Sequence, residues 1–376
     1  MTEARQYLTL PGAFEMRHGG VLESPTVAYE TWGELNENRD NVVLIFTGMS
    51  PSAHAASSRL DPAPGWWEEM IGPSRPLDTR RYFVICVNSL GSCYGSTGPA
   101  SIDPASGELY RLNFPVLTLE DVAAAGKALL DHLGITSLYS LVGPSMGGMT
   151  SLAFAVMYPD VARSLVLISC GARSLPFATA LRSLQREMIR KDPAWQDGQY
   201  AADAPPLTGM RLARKLGMIT YRSAQEWTQR FGRERTAQEH ETGDMFGPDF
   251  SVESYLEHHA QKFTGQFDAN CYLYLSRASD LFDLADHGGS IDAALKNVTA
   301  GRVLVIGVET DFLFPIEQQR QIAKAFEKAG RRVNLVELPS IQGHDSFLVD
   351  MDAFRPVLCS FFNGDWQAIS NICSAL

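Results

Sequence analysis

Gly143-Pro144-Ser145-Met146-Gly147 has the spacing G-x-S-x-G, with an apolar run before it and a helix-like run after it. A serine at such a strand-to-helix turn needs small neighbours, because any side chain on the flanking residues would collide across the tight bend. The helix N-terminus beyond favours negative charge developing on the serine oxygen. A serine hydroxyl is a weak nucleophile until a base takes its proton. Where this turn is used, the acid and then the histidine follow the serine along the chain. Asp311 lies just past the apolar run RVLVIGV, and His344 follows the run RVNLVEL, so both should sit at strand ends. Of eight histidines, His344 alone falls between the last strand-like run and a helix-like segment. His54 ranks second as a base, while His258 and His259 fall in a helical pattern and His132 at a helix end. A tetrahedral intermediate needs two backbone N–H donors. The expected donors are Met146, after the nucleophile, and Met49, in the loop Thr47-Gly48-Met49-Ser50-Pro51.

The elements that must hold these residues are legible in the hydropathy pattern. VVLIFT (from Val42), FVICV (from Phe83), LYSLVG (from Leu138), SLVLIS (from Ser164), RVLVIGV (from Arg302) and RVNLVEL (from Arg332) are short, apolar and β-branched. Runs of this kind suit parallel strands covered on both faces. Helical segments alternate with them: TLEDVAAAGKALLDHLG from Thr118, the run opened by Ser145, and Glu317 to Lys328. Thr118 and Asp121 suit a helix start and Gly134 a helix end. Alternating strands and helices predict a doubly wound α/β fold, mostly parallel. The first thirty residues alternate as a half-exposed β-ribbon with a turn at Gly19-Gly20. From 174 to 297 the pattern changes to long helices without strand-like runs, which predicts a helical lid inserted into a core of 1–173 and 298–376.

Composition narrows the function classes. The net charge of -11 over 376 residues argues against non-specific binding to nucleic acid. Hydrophobic residues at 45% and charged residues at 20% are ordinary for a globular enzyme. Six cysteines (Cys86, Cys93, Cys170, Cys271, Cys359 and Cys373) form no CxxC pair and no zinc-like spacing, so no metal site is expected. The N-terminal MTEARQYLTLPG has no apolar signal core, and no stretch approaches a membrane span, which points to the cytoplasm.

Val142-Gly143-Pro144-Ser145-Met146-Gly147-Gly148-Met149, together with PGWWEEMIGPSRPLDTRRYFVICVNSLGSCYGSTGPAS, TYRS and QGHDSFL, resembles the homoserine/serine O-acyltransferases of the MetX type. The resemblance runs from the first ribbon to the final helix and implies the α/β-hydrolase fold. It further implies a ping-pong reaction in which Ser145 takes an acyl group from an acyl-CoA and passes it to an amino-acid hydroxyl. By position, Arg214 resembles the arginine that holds the acceptor's carboxylate, Tyr221 would line the site, and Asp345 resembles the acid that binds its ammonium group. Helix capping by Arg214 and turn formation by Asp345 are the plainer alternatives. A homodimer formed through the helical insertion is implied as well.

Two features are closest to the serine O-succinyltransferase subgroup. The loop Gly48-Met49-Ser50-Pro51 departs from the acetyl-transferring pattern and would set acceptor choice; Arg182 stands where acetyl enzymes more usually carry an uncharged residue. A succinyl group ends in a carboxylate, whose burial without a partner would be costly, and arginine can pair it through charge-assisted hydrogen bonds. Arg182, Arg186 and Arg190 recur at helical spacing, which also suits a solvated basic face. The expectation is therefore transfer from succinyl-CoA to L-serine. Homoserine O-succinyltransferase, homoserine O-acetyltransferase and serine esterase or thioesterase activity are the alternatives.

Overall fold

A computed structural model describes residues 3–236 and 246–375, so residues 237–245 of the expected insertion, and both chain ends, lie outside the described residues. Among the described residues the ten strands are β1 (Gln6–Thr9), β2 (Ala13–Glu15), β3 (Val21–Glu23), β4 (Thr26–Trp32), β5 (Val42–Phe46), β6 (Phe83–Val87), β7 (Ser140–Pro144), β8 (Ser164–Ile168), β9 (Arg302–Val308) and β10 (Arg332–Leu338). Eight of them build one sheet in the order β1-β4-β6-β5-β7-β8-β9-β10, and β2 and β3 form a separate ribbon. Within the eight-stranded sheet, pairing is parallel from β6 through β10 and antiparallel where β1 and β4 join the edge.

The apolar strands explain why this sheet is buried on both faces. Side chains alternate across a strand, so Leu44, Phe46, Ile85, Leu141, Leu165 and Val305 enter one core. Their neighbours Val43, Ile45, Val84, Val142, Val166 and Leu304 enter the other.

Helices cover both layers. Ahead of β8 are α1 (Leu119–His132) and α2 (Met146–Met157). A reciprocal capping box starts α1, in which Thr118 and Asp121 satisfy each other's backbone N–H groups. Gly134, at φ +66°, follows its last turn. Between β8 and β9 the described residues form α3 (Pro176–Arg190), α4 (Leu207–Tyr221), α5 (Ala224–Phe231), α6 (Ser251–Phe263), α7 (Ala269–Leu281) and α8 (Ile291–Leu295), with no strand among them. The C-terminal part adds α9 (Ile316–Lys328), α10 (Ser346–Val349), α11 (Met351–Phe362) and α12 (Trp366–Ala375). No helix of the described residues is long and apolar enough to cross a membrane.

Parallel strands deliver their C-terminal ends to one edge, where an open α/β sheet binds its ligands. The loops leaving β5, β7, β9 and β10 carry Met49, Ser145, Asp311 and His344 in turn. This convergence is what the sheet contributes to the chemistry.

Candidate active site

Ser145 caps the N-terminus of α2 with φ 55° and ψ -126°, a left-handed region that a non-glycine residue enters only when its surroundings force it. Packing supplies the force. A Cβ on Gly143 would stand 2.1 Å from the Gly147 carbonyl oxygen, and one on Gly147 would stand 2.1 Å from that of Phe46. Gly148 is held as closely, since a Cβ there would meet Cys170 at 2.6 Å. The backbone N–H of Ser145 donates to the Ile168 carbonyl at 2.8 Å, tying the turn to the neighbouring strand.

The three residues singled out by spacing meet at this turn. His344 Nε2 lies 2.8 Å from Ser145 Oγ, and His344 Nδ1 lies 2.7 Å from Asp311 Oδ2. The second carboxylate oxygen of Asp311 accepts from the backbone N–H groups of Leu313 and Phe314, both at 2.9 Å. Asp311 is 2% exposed and His344 4%, so neither shares its hydrogen bonds with bulk water. Phe314 stacks on the imidazole with ring centroids 5.1 Å apart, and Phe347 meets it edge-on at 5.7 Å. Thr310 accepts from the Gly343 N–H at 3.1 Å and donates to the Ser340 carbonyl at 2.6 Å, pinning the histidine turn to the aspartate loop. Burial works to lower the pKa of His344, but the charge and hydrogen bond of Asp311 outweigh it, and the net shift is upward.

The rival histidines are spoken for. Both ring nitrogens of His54 are engaged, Nδ1 by Glu30 at 2.8 Å and Nε2 by the Ala63 carbonyl at 2.9 Å. His258 and His259 pack against each other on α6, and His259 against Tyr255. His132 is exposed in the last turn of α1.

Ser145 and His344 open onto a cavity of about 100 Å³. Its floor is Ser145, Met146 and the loop Gly48, Met49, Ser50 and Pro51; its walls include Arg182, Tyr221 and Asp345. Both residues expected to donate to an oxyanion thus line the same cavity as Ser145. Arg214 is placed differently. It sits within α4, so it does not cap that helix, and it is not on the cavity wall. Its guanidinium lies over the Phe263 ring, 4.5 Å from the centroid, and its buried Nε has no hydrogen-bond partner among the described residues.

Arg182 is not a solvated residue. It is 8% exposed, and its Nε donates to Asp280 Oδ1 and its Nη2 to Ser174 Oγ, both at 2.6 Å. Arg186, one turn along, binds the other oxygen of the same carboxylate at 2.6 Å and Ser276 Oγ at 2.9 Å. Arg190 leaves this group, with its guanidinium over the Trp195 ring. The basic face expected along α3 therefore divides, two arginines turning inward to one acid and the third outward.

Spacing along the chain does not reveal Asp280, which reaches Arg182 from 98 residues away. It also passes over Arg222, although that residue adjoins Tyr221 in the TYRS segment. Arg222 Nε lies 3.2 Å from Asp345 Oδ2, and its Nη1 donates to Glu226 and Gln342. Desolvation raises the pKa of Asp345, with Arg222 the leading opposing influence. Burial likewise raises the Tyr221 phenol. Among the described residues, no group of three or more His, Cys, Asp or Glu side chains is arranged to hold a metal ion.

A doubly wound sheet with a strained serine at its C-terminal edge, backed by histidine and aspartate, defines a serine-nucleophile enzyme of the α/β-hydrolase class. The chain belongs to that family: the alpha/beta hydrolase fold matches residues 41–350. Within it lie relatives that are acyltransferases. The chain is 56% identical to the serine O-succinyltransferase of Litchfieldella anticariensis, over 96% of this chain and 99% of that one. It is 54% identical to the serine O-succinyltransferase of Frateuria aurantia, over 96% and 99%. Among solved structures, homoserine O-acetyltransferase from Bacillus anthracis superposes with a TM-score of 0.88 at 30% identity, covering 96% of this chain and 97% of that one. Esterase E22 superposes with a TM-score of 0.86 at 30% identity, covering 96% and 100%. The resemblance to homoserine/serine O-acyltransferases read from the motifs is thus matched over nearly the full chain.

Proposed function

We propose that this chain is a serine O-succinyltransferase that moves the succinyl group of succinyl-CoA to the hydroxyl of L-serine, supplying an activated serine for cysteine formation. The observation that carries the reading is the hydrogen-bonded series Asp311–His344–Ser145 opening on a cavity walled by Arg182. The names of the relatives at 54% and 56% identity supply the choice of donor and acceptor.

His344 Nε2 takes the Ser145 proton as Oγ attacks the thioester carbonyl. The oxyanion that forms is held by the N–H groups of Met146 and Met49. Collapse expels the thiol of CoA, which leaves with the proton from His344, and Ser145 keeps the succinyl ester. The serine hydroxyl then repeats the sequence: His344 accepts its proton, the ester carbonyl is attacked, and Ser145 departs reprotonated. Arg182 receives the distal carboxylate of the succinyl group. Asp345 receives the acceptor's ammonium group and Tyr221 lines the site; Arg214, which rests over Phe263 off the cavity wall, takes the carboxylate by swinging its guanidinium in past Tyr221. The Gly48-Met49-Ser50-Pro51 loop sets the depth at which the acceptor hydroxyl meets the ester. Residues 174–297 act as a lid that keeps water from that ester, and the chain works as a cytoplasmic homodimer joined through the lid. Sedimentation at micromolar concentration checks the dimer.

The structural likeness to esterase E22, at the same 30% identity as the homoserine enzyme, supports a second reading in which water takes the acyl group. One assay separates these readings. Purified protein is offered succinyl-CoA or acetyl-CoA with L-serine, L-homoserine or no acceptor. Fastest turnover with succinyl-CoA and L-serine is expected. Faster turnover of homoserine with acetyl-CoA overturns both substrate assignments, and CoA release indifferent to any acceptor leaves the hydrolase.

A further inference from the structure

The segment joining α4 to α5 lies directly against the turn that carries His344. Gly343 adopts φ +65°, and a Cβ there would meet the Ser223 nitrogen at 2.8 Å and the Arg222 backbone at 2.9 Å. Ser223 Oγ donates to the Ile341 carbonyl and also accepts from the Glu226 N–H as the cap of α5. Arg222 spans the same seam with its side chain. Its guanidinium is shared among Asp345 at 3.2 Å, Glu226 at 2.8 Å and Gln342 at 3.2 Å. The Arg222 side chain is 17% exposed, and those of Asp345 and Glu226 are 23% and 11% exposed. In such a setting an ion pair with fixed geometry holds its partners more firmly than one on the open surface.

This seam joins two sets of residues that must agree in position. Tyr221 and Arg214 belong to α4; His344 and Asp345 belong to the turn after β10. The core fixes the His344 ring through Asp311 and its turn through the Thr310 bridge, bonds in which Arg222 takes no part. Asp345 has no such support from the core: its ion-pair partner among the described residues is Arg222. Removing that arginine would leave a half-buried carboxylate unpaired, free to turn or to take up a proton.

We propose that Arg222 is a positioning residue for the acceptor, aiming and charge-balancing Asp345 so that an amino acid's ammonium group is held with its hydroxyl at the acyl-enzyme. The inference rests on the function proposed above and assigns Arg222 to the second half-reaction alone. The first half-reaction needs Ser145, His344 and the oxyanion donors, none of which Arg222 contacts.

Two variants, Arg222→Gln and Arg222→Lys, test it by separate readouts. Release of CoA thiol from succinyl-CoA without acceptor reports acylation of Ser145. Dependence of turnover on L-serine at saturating succinyl-CoA reports the acceptor step. For Arg222→Gln, the acylation burst should stay within about twofold, while KM for L-serine rises at least about tenfold, about 1.4 kcal/mol. Arg222→Lys, which keeps the charge without the fork, should recover part of that loss. Should Arg222→Gln fail to fold, Gln342→Leu loosens the same seam without touching Asp345 and should raise the serine KM by a smaller factor. Equal losses in burst and acceptor step make Arg222 a general scaffold residue and overturn the proposal, as does an unmoved serine KM. No burst from the unsubstituted protein overturns the function itself, and this inference with it.

Discussion

The two sides of the catalytic cavity arrange charge in different ways. On the side of α3 and α7, Arg182 and Arg186 share the single carboxylate of Asp280, which leaves one positive charge in excess. Around α4, α5 and the histidine turn, Arg222 pairs with Asp345 and Glu226, Arg230 also approaches Glu226, and Arg214 stands apart with an unpartnered Nε. An excess positive charge suits a ligand that brings a carboxylate. An acid and an arginine held apart, each still able to bond, suit a zwitterion. On the function proposed above, the difference would suit a dicarboxylic acyl donor on one side and an amino acid on the other, with specificity set in helices the triad does not use.

Ser145→Ala should abolish both half-reactions, lowering turnover by about 10⁴ or more as for other serine-histidine pairs. Retention of succinyl transfer by this variant would remove the shared centre on which the comparison stands; thiol release and mass spectrometry of the protein check it. The next largest effect belongs to the acceptor side. Arg214→Met should cut kcat/KM for L-serine by about 10²-fold, the order expected when a buried charged partner is lost, with acylation by succinyl-CoA little changed. On the donor side, Arg182→Ala should lower kcat/KM for succinyl-CoA by about 10- to 100-fold and leave acetyl-CoA within a few-fold. Equal losses for both donors would mean that Arg182 serves packing alone.

The contrast also explains what could be read from the chain. Strand residues Val43 and Leu44, Val84 and Ile85, or Val166 and Leu167 are continuous apolar pairs because both sheet faces are covered, and that pattern is visible locally. The elbow around Ser145 is local too, since Gly143 and Gly147 are required by contacts within a few residues and the adjacent strand. Asp311 and His344 could be placed because strand ends order them. Asp280 could not, because its pairing with Arg182 and Arg186 depends on how α7 packs on α3. Arg222 is not legible from spacing for a related reason: its partners Asp345 and Gln342 lie more than a hundred residues on. Spacing also suggested one basic face for Arg182, Arg186 and Arg190, whereas Trp195 draws the third outward.

Asp280→Asn should have a smaller effect than loss of either arginine. Asparagine keeps one acceptor oxygen, so one of the two guanidinium groups now faces an NH2 donor, and both lose the charge that holds them 2.6 Å from the acid. Weaker positioning should lower the preference for succinyl-CoA over acetyl-CoA by a few-fold, about 1 kcal/mol, measured as a ratio of kcat/KM values. A sharpened preference for succinyl-CoA would show instead that Asp280 competes with the donor's carboxylate.

The smallest effect is in pH dependence, and it separates the two sides without any substitution. His344 must be neutral to accept a proton, and its pKa is raised because Asp311 stabilises the imidazolium more than burial disfavours it. Protonation therefore begins at a higher pH than for an ordinary histidine near 6.5, and activity should fall as pH drops through that raised value. On the proposed mechanism His344 serves both half-reactions, so this limb should appear in acylation and in acceptor transfer alike. Asp345 adds a second condition for the acceptor only, since it must be ionised to hold an ammonium group. Desolvation raises its pKa despite Arg222, so acceptor binding should weaken above the usual aspartate range of about 3.9 as acid is added. The serine KM should therefore rise at low pH while the succinyl-CoA acylation burst follows the His344 limb alone. An acid limb below 6.5 in both steps would mean that burial outweighs Asp311, and identical profiles for burst and serine KM would mean that Asp345 does not meet the acceptor.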